Sequence, residues 1–165
     1  MQSFTEDIKN EITSSPVSDR GEMLAMLSAF IRTSGSIISY GGVYGFELVT
    51  ENERTGEYFM DMLETSFGIF PKISGAKFDV LTKKDKLAFQ CVDGNSENLL
   101  KEMKILRQGA DGKFLVFSLD DGLIETAERR RAFLKGAFLG GGSCTLPDGG
   151  EYSRSGYHFE VVFSN

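Results

Sequence analysis

Apolar residues recur at helical spacing through most of the chain, with short alternating runs between the helical stretches. Residues 3–13 carry Phe4, Ile8 and Ile12 on one helical stripe, with Ser3 in a capping position and Ser14, Ser15 and Pro16 as a stop. A second helix is predicted from Asp19 to about Ser34 on Met23, Leu24, Met26, Leu27, Phe30 and Ile31, with Gly35 as its terminator. A hairpin follows, with strands over 36–40 and 43–50 around the turn pair Gly41 and Gly42. A third helix is predicted over 53–67, with Tyr58, Met62 and Leu63 facing inward and Gly68 and Pro71 ending it. The next hairpin is expected over 77–82 and 86–92, joined by Lys83, Lys84 and Asp85. A fourth helix is expected over 95–106 on Leu99, Leu100, Met103 and Leu106.

Residues 108–122 break the periodicity, with turn residues on both sides of the apolar run 114–117, and read as a connection between two units. A helix over 127–139, closed by Gly140, Gly141 and Gly142, and strands over 143–146 and 157–163 complete the order. The resulting succession, ααββαββα followed by αββ, is an α+β pattern that restarts.

The restart survives alignment. Residues 27–36 align with 134–143 at an offset of 107, matching Leu27, Gly35 and Ser36 to Leu134, Gly142 and Ser143. Residues 46–52 align with 159–165 at an offset of 113, matching Phe46, Glu47, Val49 and Asn52 to Phe159, Glu160, Val162 and Asn165. Six additional residues in the second copy fit the polar, glycine-rich loop 147–156. The domain reading is therefore a first helix plus first repeat over 1–110, a connector over 111–126, and the start of a second repeat over 127–165. The first copy continues through a helix, a hairpin and another helix, so repeat symmetry leads us to expect a longer natural protein.

Composition narrows the chemistry. With 41% hydrophobic residues and 14 Phe in 165 residues, the chain can bury one core or two small ones. A formal net charge of −6 means that the chain as a whole does not attract nucleic acid, so any such contact needs a local basic patch or sequence elsewhere. Cys91 and Cys144 lie far apart, without zinc-ligand spacing, and read as free thiols. The polar, acidic N-terminus is unlike a signal peptide, and no apolar run approaches the ~20 residues of a membrane span. These features point to a cytoplasmic protein. His158 is the only histidine, which excludes a multi-histidine metal site or a triad built from several imidazoles.

The helices ending at Gly35 and Gly142 resemble the LAGLIDADG helix of homing endonucleases, and the resemblance implies that the two pack together about a pseudo-twofold axis. Small residues are needed where such backbones cross, and Ala29 and Thr33 in the first copy and Gly136 and Gly140 in the second have that role. Gly in a helix interior costs roughly 1 kcal/mol relative to Ala, which close packing explains for Gly136. Gly141 and Gly142 read equally well as a frayed helix end. The nuclease pattern puts an acid just before each final glycine to hold divalent metal. This chain has Ser34 and Gly141 there, so the resemblance implies a fold of tandem αββαββα repeats, the second truncated, without nuclease activity.

More specifically, residues 4–12, 20–35, 46–52, 130–143 and 156–162 resemble the WhiA family, in which a degenerate LAGLIDADG-like domain precedes a helix-turn-helix. That resemblance implies a nucleoid-associated, DNA-binding regulator of transcription, sporulation, cell division or chromosome segregation, with no cofactor and no metal. Its main DNA contact would be made by a helix-turn-helix downstream of this chain, and protein partners are open. Two alternatives remain: an active nuclease using displaced acids such as Glu47 and Glu160, and an interaction scaffold that does not touch DNA.

Three other features have competing readings. Lys72, Lys77, Lys83, Lys84 and Lys86, set against Asp79 and Asp85, could form a phosphate-contacting edge or could guard an exposed strand from mispairing. Arg129, Arg130 and Arg131 open a helix at the end where cations are disfavoured, so Glu125 or Glu128 is expected to offset them. Glu47 and Glu160 hold equivalent strand positions, where exposure or pairing with Lys or Arg is the ordinary expectation.

Overall fold

A computed structural model describes residues 3–79, 84–147 and 156–164, with side chains described outside 76–79 and 84. The elements run α1 (Phe4–Thr13), α2 (Arg20–Ser34), β1 (Gly35–Tyr40), β2 (Val43–Thr50), α3 (Glu53–Phe67), β3 (Lys72–Asp79), β4 (Lys84–Cys91), α4 (Gly94–Glu102), β5 (Leu106–Gly109), β6 (Gly112–Leu115), a 3-10 turn (Asp121–Ile124), α5 (Ala127–Gly141), β7 (Gly142–Thr145) and β8 (His158–Val161). Helices packed with antiparallel sheets make the class α+β, as expected. No helix among the described residues is long and apolar enough to cross a membrane.

Local chemistry sets most of the helix starts. Ser3 and Glu6 form a capping box on α1, and the side chains of Asp19, Asn52, Asp93 and Thr126 cap α2, α3, α4 and α5. The helix ends hold more departures from expectation. Gly35 does not end α2 in a left-handed turn; its backbone is extended and leads straight into β1. The fourth helix stops at Glu102, before the expected Leu106, because Lys104 takes a left-handed conformation (φ 60°) and the Ile105 N–H returns to the Leu100 carbonyl at 3.0 Å. Leu106 then begins a β5–β6 hairpin, so the stretch read as a connector from residue 111 starts inside a turn between strands. The second hairpin also starts earlier than expected, at Lys72. The final helix runs through Gly140 and Gly141.

The main sheet is antiparallel in the order β1-β2-β4-β3. One face carries Phe46, Leu48 and Phe89 into a core with Phe30, Phe59, Leu63 and Leu100 from the helices. Phe30 and Phe59 stack with ring centroids 4.1 Å apart, fastening α3 to α2. The second sheet contains β7 and β8.

Register makes the repeat explicit. Gly35 pairs with Leu48 and Ser36 with Glu47, while Gly142 pairs with Val161 and Ser143 with Glu160. The two sequence offsets thus recover one strand pairing in both copies. Burial differs between them: Phe46 is fully buried, whereas its counterpart Phe159 is 65% exposed.

Candidate functional site

The centre of the molecule is the crossing of α2 and α5. Met26, Ala29 and Thr33 share a face of α2, and all three are buried. A Cβ at Gly136 would collide with the Met26 carbonyl oxygen, and one at Gly140 would collide with the Thr33 hydroxyl. Thr33 folds its own hydroxyl back onto the Ala29 carbonyl at 2.9 Å. Gly136 and Gly140 thus approach α2 at Met26 and Thr33, and Ala29 is buried on the same face of α2. Met26 was not legible as a partner because it contributes its backbone; its long side chain gives no hint of close approach.

The positions where a nuclease would carry its acids follow directly. The Ser34 hydroxyl donates to the Val49 carbonyl. The Gly141 carbonyl accepts from the Val162 N–H at 3.0 Å, and a Cβ there would collide with the Val162 carbonyl. Val49 and Val162 are themselves repeat counterparts, so both positions are engaged by the same strand residue of their own copy. Gly141 and Gly142 are crowded, the latter against Phe138, which corrects the reading of a frayed helix end.

A cleft of about 470 Å³ opens at this end of the crossing, lined by Thr33, Ser34 and Gly140, by residues 49–52, by Lys86, and by Ser3, Thr5, Glu6 and Lys9 from α1. Glu47 stands on the non-core face of the sheet, where its carboxylate accepts from Gln90 at 2.9 Å and from Ser74 at 3.4 Å. Glu160 is exposed, one of the two expectations for it, and meets His158 at 3.3 Å. Among the described residues no group of three His, Cys, Asp or Glu side chains could hold a metal ion.

The lysine hairpin divides. Lys72 lies exposed on the outer strand β3, and Lys86 is half-buried at the cleft. Lys77 stands opposite Lys86 in the register and Lys84 opposite Asp79. Lys83, and the side chains of Lys77 and Lys84, lie outside the described residues. Lys72 and Lys86 pair with or adjoin Gln90 and Ala88 on the same non-core face as Glu47. At the start of α5, Arg129 meets Glu125 at 3.2 Å and the Gly122 carbonyl at 3.0 Å, and Arg130 donates to the carbonyls of Ile124 and Glu125. Glu125 supplies the expected offset, and both arginines brace the preceding turn.

Two polar residues escaped the sequence reading. Glu97 is buried on α4, where it accepts from Lys113 at 2.7 Å and from the Tyr44 N–H at 2.8 Å, with Lys101 at 3.5 Å. The Lys113 hydrogen bond, then the Tyr44 N–H, holds this carboxyl below its ordinary range. Arg32 donates to the Phe117 carbonyl and to Ser28 at 3.2 Å, and burial lowers its pKa. Glu97 sits within the polar run 93–98 and Arg32 beside Thr33 and Ser34, where a charged residue reads as solvated and its burial leaves no signal. Cys91 and Cys144 are both free thiols.

Known proteins reproduce these elements. Residues 20–106 match the WhiA N-terminal LAGLIDADG-like domain, and residues 130–165 match the WhiA LAGLIDADG-like domain. The chain is 30% identical over 164 residues to the probable cell division protein WhiA of Clostridium botulinum strain Hall, covering 99% of this chain and 50% of that protein. It is 30% identical to the protein of the same name in Thermoanaerobacter pseudethanolicus, again covering 99% of this chain and 50% of the relative. The chain thus spans about half the length of these curated relatives. Among solved structures, the N-terminal LAGLIDADG domain of DUF199/WhiA superposes with a TM-score of 0.63 at 20% identity, over 99% of this chain and 67% of that one. Full-length DUF199/WhiA from Thermatoga maritima gives 0.54 at 19% identity, over 87% of this chain and 41% of that one. With both family domains matched in order along an interlocked pair of repeats, the chain belongs to the WhiA family.

Proposed function

We propose that this chain is the degenerate nuclease-like part of a non-catalytic DNA-binding regulator that takes part in cell division, as the names of its relatives suggest. The observation that carries the non-catalytic reading is the pair Ser34 and Gly141. Neither offers a carboxylate, and each is engaged by its own strand, at Val49 and Val162. The DNA-binding reading is supported by Lys72 and Lys86 on the non-core face of the main sheet, with Lys77 opposite Lys86 in the register. Phosphate contacts of this kind position a duplex without reading its sequence. Against a net charge of −6 they give weak, salt-sensitive binding, and the resemblance to the WhiA family assigns specific recognition to a helix-turn-helix outside this chain. Roles in transcription and sporulation and an association with the nucleoid follow from the same reading.

The test is a titration of labelled duplex DNA at low and moderate salt, with Mg²⁺ or Mn²⁺ present. Salt-dependent binding without strand cleavage is expected, and replacing Lys72 and Lys86 with Glu should abolish it. Metal-dependent cutting would sink the non-catalytic reading, and indifference to the two substitutions would sink the sheet-face reading.

A further inference from the structure

We propose that α1 is an acidic, detachable strap that holds DNA out of the cleft where α2 and α5 end. The inference rests on the sheet-face reading above and adds a means of regulating it. Ser3, Thr5, Glu6 and Lys9 form the α1 side of the cleft, opposite Thr33, Ser34 and Gly140. A duplex lying on the non-core face of the main sheet and reaching toward the second sheet meets α1 there.

The docking is specific but shallow. The Thr5 hydroxyl accepts from the Cys144 N–H at 3.0 Å and donates to the Cys144 carbonyl at 3.1 Å, so one side chain satisfies both backbone groups of a β7 residue. At the other end Arg54 donates to Ser14 at 3.0 Å and Tyr58 to the Ser15 carbonyl at 3.3 Å. None of the ten residues of α1 is buried, and Phe4 is 40% exposed. A helix with no buried residue, joined to the core through the half-buried Ile12, has the marks of a segment that opens locally without global unfolding.

The electrostatics favour the docked state and oppose phosphate. The N-terminus of α1 faces the C-terminal ends of α2 and α5, so unlike ends of the helix dipoles adjoin. Residues 3–11 bring Glu6, Asp7 and Glu11 against a single lysine, Lys9. While docked, α1 occupies one side of the cleft with Glu6 and Lys9 and carries Asp7 and Glu11 exposed beside it, so it takes the space of a duplex and presents net negative charge at its edge; when it lifts, that charge leaves with it. DNA therefore binds with its intrinsic affinity scaled by the fraction of molecules in which α1 is open.

The experiment uses the full chain with Thr5→Val, which keeps the shape and removes the hydroxyl, and Thr5→Ser, which keeps the hydroxyl. Hydrogen exchange reads the docking of α1, and a labelled short duplex at low salt reads binding. Thr5→Val should speed exchange across 4–13 and tighten binding at least about threefold, while Thr5→Ser stays near the parent. Faster exchange in Thr5→Val with equal or weaker binding overturns the strap and leaves the sheet-face reading standing, provided the parent binds. Unchanged exchange also overturns it, because the Thr5 staple is the contact said to hold α1. Absence of binding by all three proteins overturns both the strap and the sheet-face reading.

Discussion

Gly136 shows how a single hydrogen can decide a packing geometry. In an unobstructed helix, Gly→Ala gains roughly 1 kcal/mol from reduced backbone freedom. Here the new methyl would meet the Met26 carbonyl, so Gly136→Ala should cost about 1–3 kcal/mol by overpacking, read as a lower midpoint in urea. A neutral or stabilising result would mean that the helices are not in backbone contact. The thiols make a second residue-scale case. Burial, with the nearby Asp93 charge adding to it, pushes Cys91 up to about 12, and it is only 2% exposed. Cys144 is half-buried near the surface. A disulfide reagent at mildly alkaline pH should label Cys144 first and reach Cys91 only at the rate of unfolding; equal rates would refute the burial of Cys91. Cys91 could be read as a thiol from sequence, but its depth could not, because the strand partner Phe46 and the helices that cover this face come from other segments.

Among elements, Glu97 joins α4, β2 and β6. Its lowered folded-state pKa sets the sign of the pH effect. The ionised form is favoured in the folded state, so its stabilisation is complete above the ordinary carboxylate range and fades as pH falls through the lowered folded value. Glu97→Gln should lose about 2 kcal/mol near neutrality, as for other hydrogen bonds to charged groups, and should flatten the acid limb of the stability profile. An acid limb unchanged by the substitution would refute the assignment. The elements themselves were legible where the local signals agreed: α2, the β1–β2 hairpin and α3 follow from periodicity, caps and the Gly41–Gly42 turn, whose residues both have positive φ. The β5–β6 hairpin was not, because a lysine takes the left-handed position that usually advertises itself as glycine, and Met103 and Leu106 prolong the helical spacing past its end. The contact of α1 with β7 was likewise hidden. A hydroxyl bonding to a distant backbone has no periodicity to betray it.

Across the whole molecule, equivalent positions of the two repeats should differ sharply in energy. Phe46→Ala removes a fully buried ring and should cost about 3–5 kcal/mol. Phe159→Ala, at the counterpart position, loses mainly its stack on Phe138 (centroids 5.6 Å apart) and should cost about 1 kcal/mol. Comparable losses would show that the second copy is as well covered as the first. The crossing helices carry a mechanical consequence as well. Backbone meets backbone at Met26 and Gly136, with no compressible side chain between them. The joint therefore behaves as a rivet instead of a cushion, and the spacing between the sheets borne by α2 and α5 works as a fixed gauge. A partner that reaches across both sheets must bend, twist or unwind to match that gauge.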